Sequence, residues 1–286
     1  MEQSLQGNIF LVTGATSGIG WAIATELAHR GATLFGVGRS AERCAACEAK
    51  LRSQGGQVRF LTADLSLQSE IRRLTEQVAA LTDRVDVLIN NAAVFTWKRE
   101  ETAEGFEMQW AVNHLAPFAL TLRLWPLLRN ASAARVVTVS SNSHYHTRLR
   151  WQDIQLRRGY NGLLAYKQTK LCNVLFTVEL DRRFRAMSSS ARAFAADPGL
   201  VVTDMGFKHT PWWVQQIWAW RRRGGISPQE SARGIVFLAT DPNLQMTTEL
   251  YWKHGRPKAP NPLALDPQAA YRLWQLSLTM CQLEDP

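Results

Sequence analysis

An apolar run, Asn8-Ile9-Phe10-Leu11-Val12-Thr13, ends in Gly14-Ala15-Thr16-Ser17-Gly18-Ile19-Gly20 and passes at Trp21 into helical spacing that lasts to Arg30. This junction restricts the fold more than any other stretch of the chain. A glycine-rich string alone carries little weight, but between a buried strand and the start of a helix it has a physical purpose. Glycines allow the tight turn and let the backbone approach a pyrophosphate closely, while the helix start offers free N–H groups and a favourable dipole. The junction therefore predicts a dinucleotide-binding strand–turn–helix at the head of the chain.

The rest of the chain repeats the alternation. Further strands are expected at Ala32 to Val37, Val58 to Ala63, Val85 to Asn90, Arg135 to Ser140 and Ala191 to Ala196. Helices are expected at Ala41 to Ser53, Leu67 to Leu81, Ala103 to Leu128 with a break near Pro117, Leu163 to Arg185, and Pro228 to Thr240. Strands alternating with helices imply an α/β architecture with a mainly parallel sheet covered on both faces. No repeat, low-complexity stretch or linker divides the 286 residues.

The second strand runs into Gly36-Val37-Gly38-Arg39-Ser40. A cofactor with a free ribose 2′-hydroxyl usually meets an acidic side chain there, and none is present. Arg39, with Arg43 one turn on, suits a 2′-phosphate instead, which points to NADP(H) over NAD(H). The net charge of +9 fits a basic surface that attracts an anionic cofactor, and no nucleic-acid-binding module accompanies it. Four cysteines form no disulfide framework and suit a reducing, cytoplasmic compartment. Cys44-Ala-Ala-Cys47 has no second pair, and His144 and His146 lack further clustered ligands, so no metal site is expected. No apolar run reaches spanning length, and Met1-Glu2-Gln3-Ser4 begins no secretory signal.

Tyr166 and Lys170 stand four residues apart on an expected helix and so share a face. An ammonium beside a phenol favours phenolate, so the tyrosine's pKa is expected to fall toward neutrality and make it a proton-transfer group.

Taken together, the chain resembles the short-chain dehydrogenase/reductase family. The resemblance rests on Thr13-Gly14-x-x-x-Gly18-x-Gly20, Asp64-Leu65, Asn90-Asn91-Ala92, Ser141 with Tyr166-x-x-x-Lys170, Pro198-Gly199 with Thr203, and Asn113 within Val112-Asn113-His114-Leu115. These occur in the family's order and cover nearly the whole chain. The retinol dehydrogenase-like branch is the nearest in look, through Arg135-Val-Val-Thr-Val-Ser-Ser141, Lys170-Leu-Cys-Asn-Val-Leu-Phe176 and the tail Ala270-Tyr-Arg-Leu-Trp-Gln-Leu-Ser277. The resemblance implies one Rossmann-type doubly wound domain over residues 1–286 with a sheet of about seven strands. It adds a substrate lid around 204–226 and a C-terminal extension around 250–286.

The resemblance also implies roles. Tyr166 is the general acid that protonates a carbonyl oxygen as hydride arrives from the nicotinamide, and the general base in reverse. Lys170 tunes it and holds the nicotinamide ribose, Ser141 orients the substrate oxygen, and Asn113 anchors a relay water. Cofactor contacts are implied at Thr13, Gly14, Thr16, Ser17, Gly18, Ile19, Gly20, Arg39, Asp64, Leu65, Asn91 and Ala92. Tyr166, Lys170, Pro198, Gly199, Val201 and Thr203 complete them, with Asn90 on the adenosine ribose side. A homodimer through the helices bearing Asn113 and Tyr166 follows by the same analogy. Ala93, Asp197 and Trp21 depart from the pattern, so the substrate does not carry over.

The stretch after Thr203 holds Trp212, Trp213, Trp218 and Trp220 before Arg221-Arg222-Arg223. It admits a lid over a hydrophobic or aromatic carbonyl compound, an interfacial helix in peripheral contact with a membrane, or packing in the core or a dimer. The leading expectation is an NADP(H)-dependent oxidoreductase acting on a lipophilic or aromatic aldehyde, ketone or alcohol. A non-catalytic cofactor-binding regulator or scaffold and a biosynthetic tailoring ketoreductase with a narrow substrate are the alternatives.

Overall fold

In a computed structural model, described for residues 4–187, 189–201 and 225–286, the chain forms one eight-stranded sheet. The strands are β1 (Ile9–Thr13), β2 (Thr33–Gly38), β3 (Gln57–Thr62), β4 (Val87–Asn90), β5 (Arg135–Val139), β6 (Arg192–Asp197), β7 (Tyr251–Lys253) and β8 (Arg256–Pro257). Their order is β3-β2-β1-β4-β5-β6-β7-β8, parallel throughout except for β8, which pairs antiparallel with β7. The chain winds outward from β1 in one direction and from β4 in the other. The carboxyl ends of β1 and β4 therefore frame the crevice in which such sheets take their ligands.

Alternation along each strand sends side chains to two cores. On one face Phe10 and Val12 pack with α1 (Gly18–His29), α2 (Ala41–Ser53) and the helix Pro228–Thr240. On the other, Leu11 packs with α3 (Gln68–Ala79) and with the helices Ala116–Arg123, Gly162–Ala186 and Pro267–Cys281. Numbered along the chain, α4 is Met108–Trp110, α5 Ala116–Arg123, α6 Trp125–Arg129, α7 Gly162–Ala186, α8 Pro228–Thr240 and α9 Pro267–Cys281. No helix among the described residues is long and apolar enough to cross a membrane.

The structure corrects the expected helix from Ala103 to Leu128. It starts only at Met108, where the buried Glu107 caps it by accepting from the amides of Gln109 at 3.0 Å and Trp110 at 2.7 Å. Pro117 does not break it. A π-helical turn, Ala111–Leu115, precedes the proline and absorbs the N–H it lacks. The actual interruption lies at Leu124. Asn113 sits in the π turn, and Pro117 leaves its carbonyl without the α-helical donor four residues on.

The C-terminal part also differs from expectation. The sheet has eight strands rather than about seven, because β7 and β8 are too short to show alternation. Helix α9 lies over α5 and α7, where Trp274 meets Phe118 at 5.0 Å and Phe176 at 6.1 Å between ring centroids. The Arg183 guanidinium lies 4.1 Å from the Trp274 ring centre, and Arg183 and Trp274 both donate to Asp285. A dimer through the helices carrying Asn113 and Tyr166 would thus meet α9 on that side. At the amino end of β6, buried Arg192 donates from Nε to Asp181 of α7 at 2.8 Å, and Asp181 also accepts from Arg185.

Candidate active site

The glycine turn is built as a cradle. Gly14 has φ +66° and Gly18 φ +54°, values that suit glycine. A Cβ on Gly20 would stand 2.1 Å from the carbonyl oxygen of Gly14, so only glycine closes this turn. Ser17 precedes α1 but makes no side-chain cap, whereas Ser40, Asn161 and Ser227 do cap α2, α7 and α8. The first-turn amides of α1, around Gly18, Ile19 and Gly20, are therefore left for an external acceptor.

β4 is bolted to this turn. Thr13 Oγ1 accepts from the amides of Asn91 and Ala92 at 3.0 Å each, and Asn91 Nδ2 donates to the Thr13 carbonyl at 2.8 Å. Asn90 points the other way. It is buried and donates to Thr121 of α5 at 3.2 Å, so it does not stand on the ribose side as expected. Neighbouring strand residues face opposite sides, and Asn91 takes the crevice.

Around the rim, Thr16 packs so close to Gly38 that a Cβ there would meet it at 2.5 Å. Arg39 is exposed, with no hydrogen bond or ion pair among the described residues. Arg43 follows in the first turn of α2. Asp64 accepts from the Ser66 amide at 3.0 Å, and Leu65 is buried beside it. On the far side Gly199 has φ +77°, and Pro198 and Gly199 lead to Val201, which bridges to Ile226. Thr203, the four tryptophans and nearly all of the lid at 204–226 lie outside the described residues.

These residues fit a nicotinamide dinucleotide on structural grounds. They combine an uncapped helix start, a turn closed to side chains and a free guanidinium at the end of β2. By contrast, a hollow of about 460 Å³ lined by Thr33, Arg52, Gln57 and Arg59 opens by the amino ends of β2 and β3, away from this edge. No group of three or more metal-ligating side chains gathers among the described residues.

The four residues singled out for catalysis converge at the carboxyl ends of β4 and β5. Lys170, 2% exposed, donates from Nζ to the Val139 carbonyl at 2.9 Å, and burial pushes its pKa down to about 7. Its Nζ lies 5.5 Å from the Tyr166 ring centre. Ser141 follows β5 and hydrogen-bonds the Tyr166 side chain. Its Oγ also donates to Ser143 Oγ and accepts from the Ser143 amide, each at 3.2 Å. Ser140 turns inward, donating to the Lys170 carbonyl at 2.8 Å, so the two serines face apart. The Asn113 side chain clasps Val94, accepting from its amide at 2.8 Å and donating to its carbonyl at 3.0 Å. A bond to Thr169 at 3.2 Å ties the same side chain to α7.

One expectation reverses. The Tyr166 phenol is pushed up to about 12 rather than down. Burial is the main cause and the charge of Asp197 adds to it, while the hydrogen bond with Ser141 opposes both. Spacing alone could place Lys170 beside the ring, but it could not show that burial weakens the ammonium.

Two supporting groups make contacts that the sequence does not show. Phe95 lies 5.8 Å from Tyr166 and Trp97 4.8 Å from Phe95, forming an aromatic wall after β4. His144 is buried, donates from Nδ1 to the Ser141 carbonyl at 2.7 Å, and accepts from the Asn261 amide at 3.0 Å. No motif announces either, because both depend on tertiary contacts.

A family model described as short chain dehydrogenase matches residues 8–212. Retinol dehydrogenase 13 of Homo sapiens is 34% identical, aligned over all of this chain and 88% of its own length. Polyprenol dehydrogenase of Mus musculus is also 34% identical, over 96% of this chain and 84% of its own. Among solved structures, an uncharacterised protein from Mycobacterium Paratuberculosis superposes with TM-score 0.76 at 34% identity, covering 99% of this chain and 97% of that one. The NADP active-site complex of Pseudomonas aeruginosa RhlG superposes with TM-score 0.70 at 26% identity, covering 89% and 99%.

Proposed function

Because the chain belongs to the short-chain dehydrogenase family, on its retinol dehydrogenase-like branch, we propose that it is an NADP(H)-dependent oxidoreductase of lipophilic carbonyl compounds and alcohols, with Tyr166 as general acid and base. The observation that carries this reading is the convergence of Ser141, Tyr166 and Lys170 beside a glycine cradle that no side chain fills.

The α1 amides and the backbone of Gly14 to Gly20 hold the pyrophosphate. Arg39, helped by Arg43, takes the 2′-phosphate, and an NADP-bound relative of the same fold supports that choice. Asp64, Leu65, Asn91 and Ala92 serve the adenosine side, while Lys170 and the Pro198 to Thr203 segment serve the nicotinamide side. When bound, the nicotinamide supplies or accepts the hydride.

The chain's own residues handle orientation and the proton. Ser141 Oγ hydrogen-bonds the substrate oxygen and fixes it against the Tyr166 hydroxyl. In reduction the phenol gives its proton to that oxygen, and in oxidation it takes the proton back. Lys170 holds the ribose, and while protonated its charge, 5.5 Å from the Tyr166 ring centre, favours the phenolate. Asn113, whose carbonyl Pro117 leaves without its helical donor, is placed to hold a relay water.

Phe95 and Trp97 give the substrate side an apolar, flat wall. The relatives' names, retinol and polyprenol dehydrogenase, point the same way, to long apolar alcohols and their carbonyl forms.

The test is a panel of aldehydes and ketones with NADPH or NADH oxidation as readout. Wild type should turn over apolar members with NADPH preferred. Tyr166→Phe should lose activity at least about a hundredfold, the scale of general acid–base catalysis. Arg39→Ala should raise KM for NADPH about tenfold while leaving that for NADH unchanged, as expected for a lost charge-assisted contact. Undiminished turnover by Tyr166→Phe would end this reading.

A further inference from the structure

Phe95 presents its ring to Tyr166, 5.8 Å between centres and inclined by 67°. Trp97 backs it edge-on at 4.8 Å. The segment that carries the two rings is held on both sides of Phe95. Before it, the Asn113 side chain clasps Val94 by its amide and its carbonyl. After it, the Thr96 carbonyl accepts from Gln109 Nε2 at 3.1 Å, and the Thr96 hydroxyl hydrogen-bonds that of Tyr160 at 3.0 Å.

These holds reach a buried base, formed by Glu107 and Gln109. Tyr160 donates to Glu107 Oε1 at 2.9 Å and accepts from Gln109 Nε2 at 2.9 Å. A phenol has a single proton, so with that proton given to Glu107 its oxygen is left to accept from Thr96. Glu107 also accepts from the amides of Gln109 and Trp110, which keep its carboxyl from swinging away.

The same segment is docked on α7. A Cβ on Gly162, the first residue of α7, would stand 2.1 Å from the Thr96 carbonyl oxygen and 3.0 Å from the Trp97 Cα. Gln109 Nε2 also reaches the Gly162 carbonyl at 3.0 Å. Gly162 and Tyr166 are four residues apart and lie on one face of the helix. The contact that seats Thr96 is thus one turn from the phenol, and it sets the gap between Phe95 and Tyr166.

We propose that Gln109 and Tyr160 are positioning residues that act through Phe95. By pinning Thr96 to the first turn of α7 they hold the ring at a fixed gap from Tyr166, and the site selects planar apolar carbonyl compounds over flexible aliphatic ones. A ring held still meets a flat ligand without losing order when the ligand arrives. A loosened ring moulds to a flexible chain as readily as to a flat one. The choice of carbonyl compounds as ligands rests on the proposed function. The seating of Phe95 does not.

The test reads binding without chemistry. Affinities for methyl naphthyl ketone and methyl decyl ketone, which have equal carbon counts, are measured by titration calorimetry with NADP⁺ present, where neither ketone can be reduced. Wild type should bind the naphthyl ketone more tightly. Tyr160→Phe removes the hydroxyl and keeps the ring. In that chain the preference should fall about fivefold, the scale of one aromatic contact, while Kd for NADP⁺ stays unchanged. A merely structural network would weaken both ketones alike and leave the preference where it was. Gln109→Met, which loses the donor with little change of volume, should act in the same direction. Thr96→Val should do so too, and Thr96→Ser should restore the preference. Phe95→Leu should abolish it, and adding Tyr160→Phe to that chain should change nothing further.

A wild type that binds neither ketone, or both alike, overturns the proposal. So does a preference unmoved in a folded Tyr160→Phe chain. If thermal melting shows that chain to be unfolded, Thr96→Val is read against the same expectation. Activity that survives Tyr166→Phe overturns the functional reading, while the ketone affinities still decide the role of Gln109 and Tyr160.

Discussion

At the scale of single residues, the site runs on charges held where water does not reach them. Lys170 has an ordinary pKa of 10.5 that burial lowers to about 7. Between those values the unfolded chain binds a proton that the folded chain does not, so stability climbs with pH across that window, and below it the full cost remains. Lys170→Met should therefore unfold at a higher temperature than wild type at pH 6, by on the order of 3 kcal/mol, with the gap closing toward pH 10. Thermal melts at the two pH values check this. The side chain chosen for catalysis is thus one the fold tolerates at a cost. The pair of Tyr166 and Lys170 was legible from four-residue spacing, because helical geometry is local. The direction of the tyrosine's shift was not, because it depends on strand ends far apart in sequence. Asp197 stood out in the sequence only as a departure before Pro198-Gly199, and its effect on Tyr166 appears only once β6 lies beside β5.

Among the elements, the β1–turn–α1 unit was read nearly to the residue. Its signal combines a buried run, obligatory glycines and helical periodicity within a few residues of one another. Gly20→Ala tests how strictly the turn is built. Its new methyl would meet the Gly14 carbonyl, which is backbone and cannot swing aside. NADPH affinity should fall at least tenfold, and the melting temperature should drop by several degrees, roughly the effect of a 1–2 kcal/mol loss. Titration calorimetry and a melt would measure the two. The helix bearing Asn113 was read less well. Proline normally interrupts a helix, but here the widened turn at Ala111–Leu115 accommodates it, and periodicity alone cannot separate that from a break. β7 and β8 escaped notice because strands of three and two residues leave no pattern.

For the whole molecule, alternation of strands and helices predicted the doubly wound sheet, and the family's motifs point to a ligand edge at the carboxyl ends of its strands. The covering helix α9 remained unread, since the tail suggested a relative but not a packing partner. Trp274 anchors it among Phe118, Phe176 and Arg183, with 1% of its own surface exposed. Trp274→Ala should cost about 3–5 kcal/mol in urea unfolding, the usual range for an emptied aromatic core site. NADPH affinity should change little, because α9 lies on the side of α5 and α7 away from the glycine turn. β6 shows the same division of labour along one strand. Its first residue, Arg192, is locked to Asp181, and its last, Asp197, accepts from Tyr251 and the Gly199 amide. For anyone reshaping this protein into a catalyst for unfamiliar carbonyls, the anchorage lies at the amino end of β6, apart from the aromatic pair that follows β4. Libraries drawn at Phe95 and Trp97 can range widely without touching the buried ion pair that keeps the sheet in place.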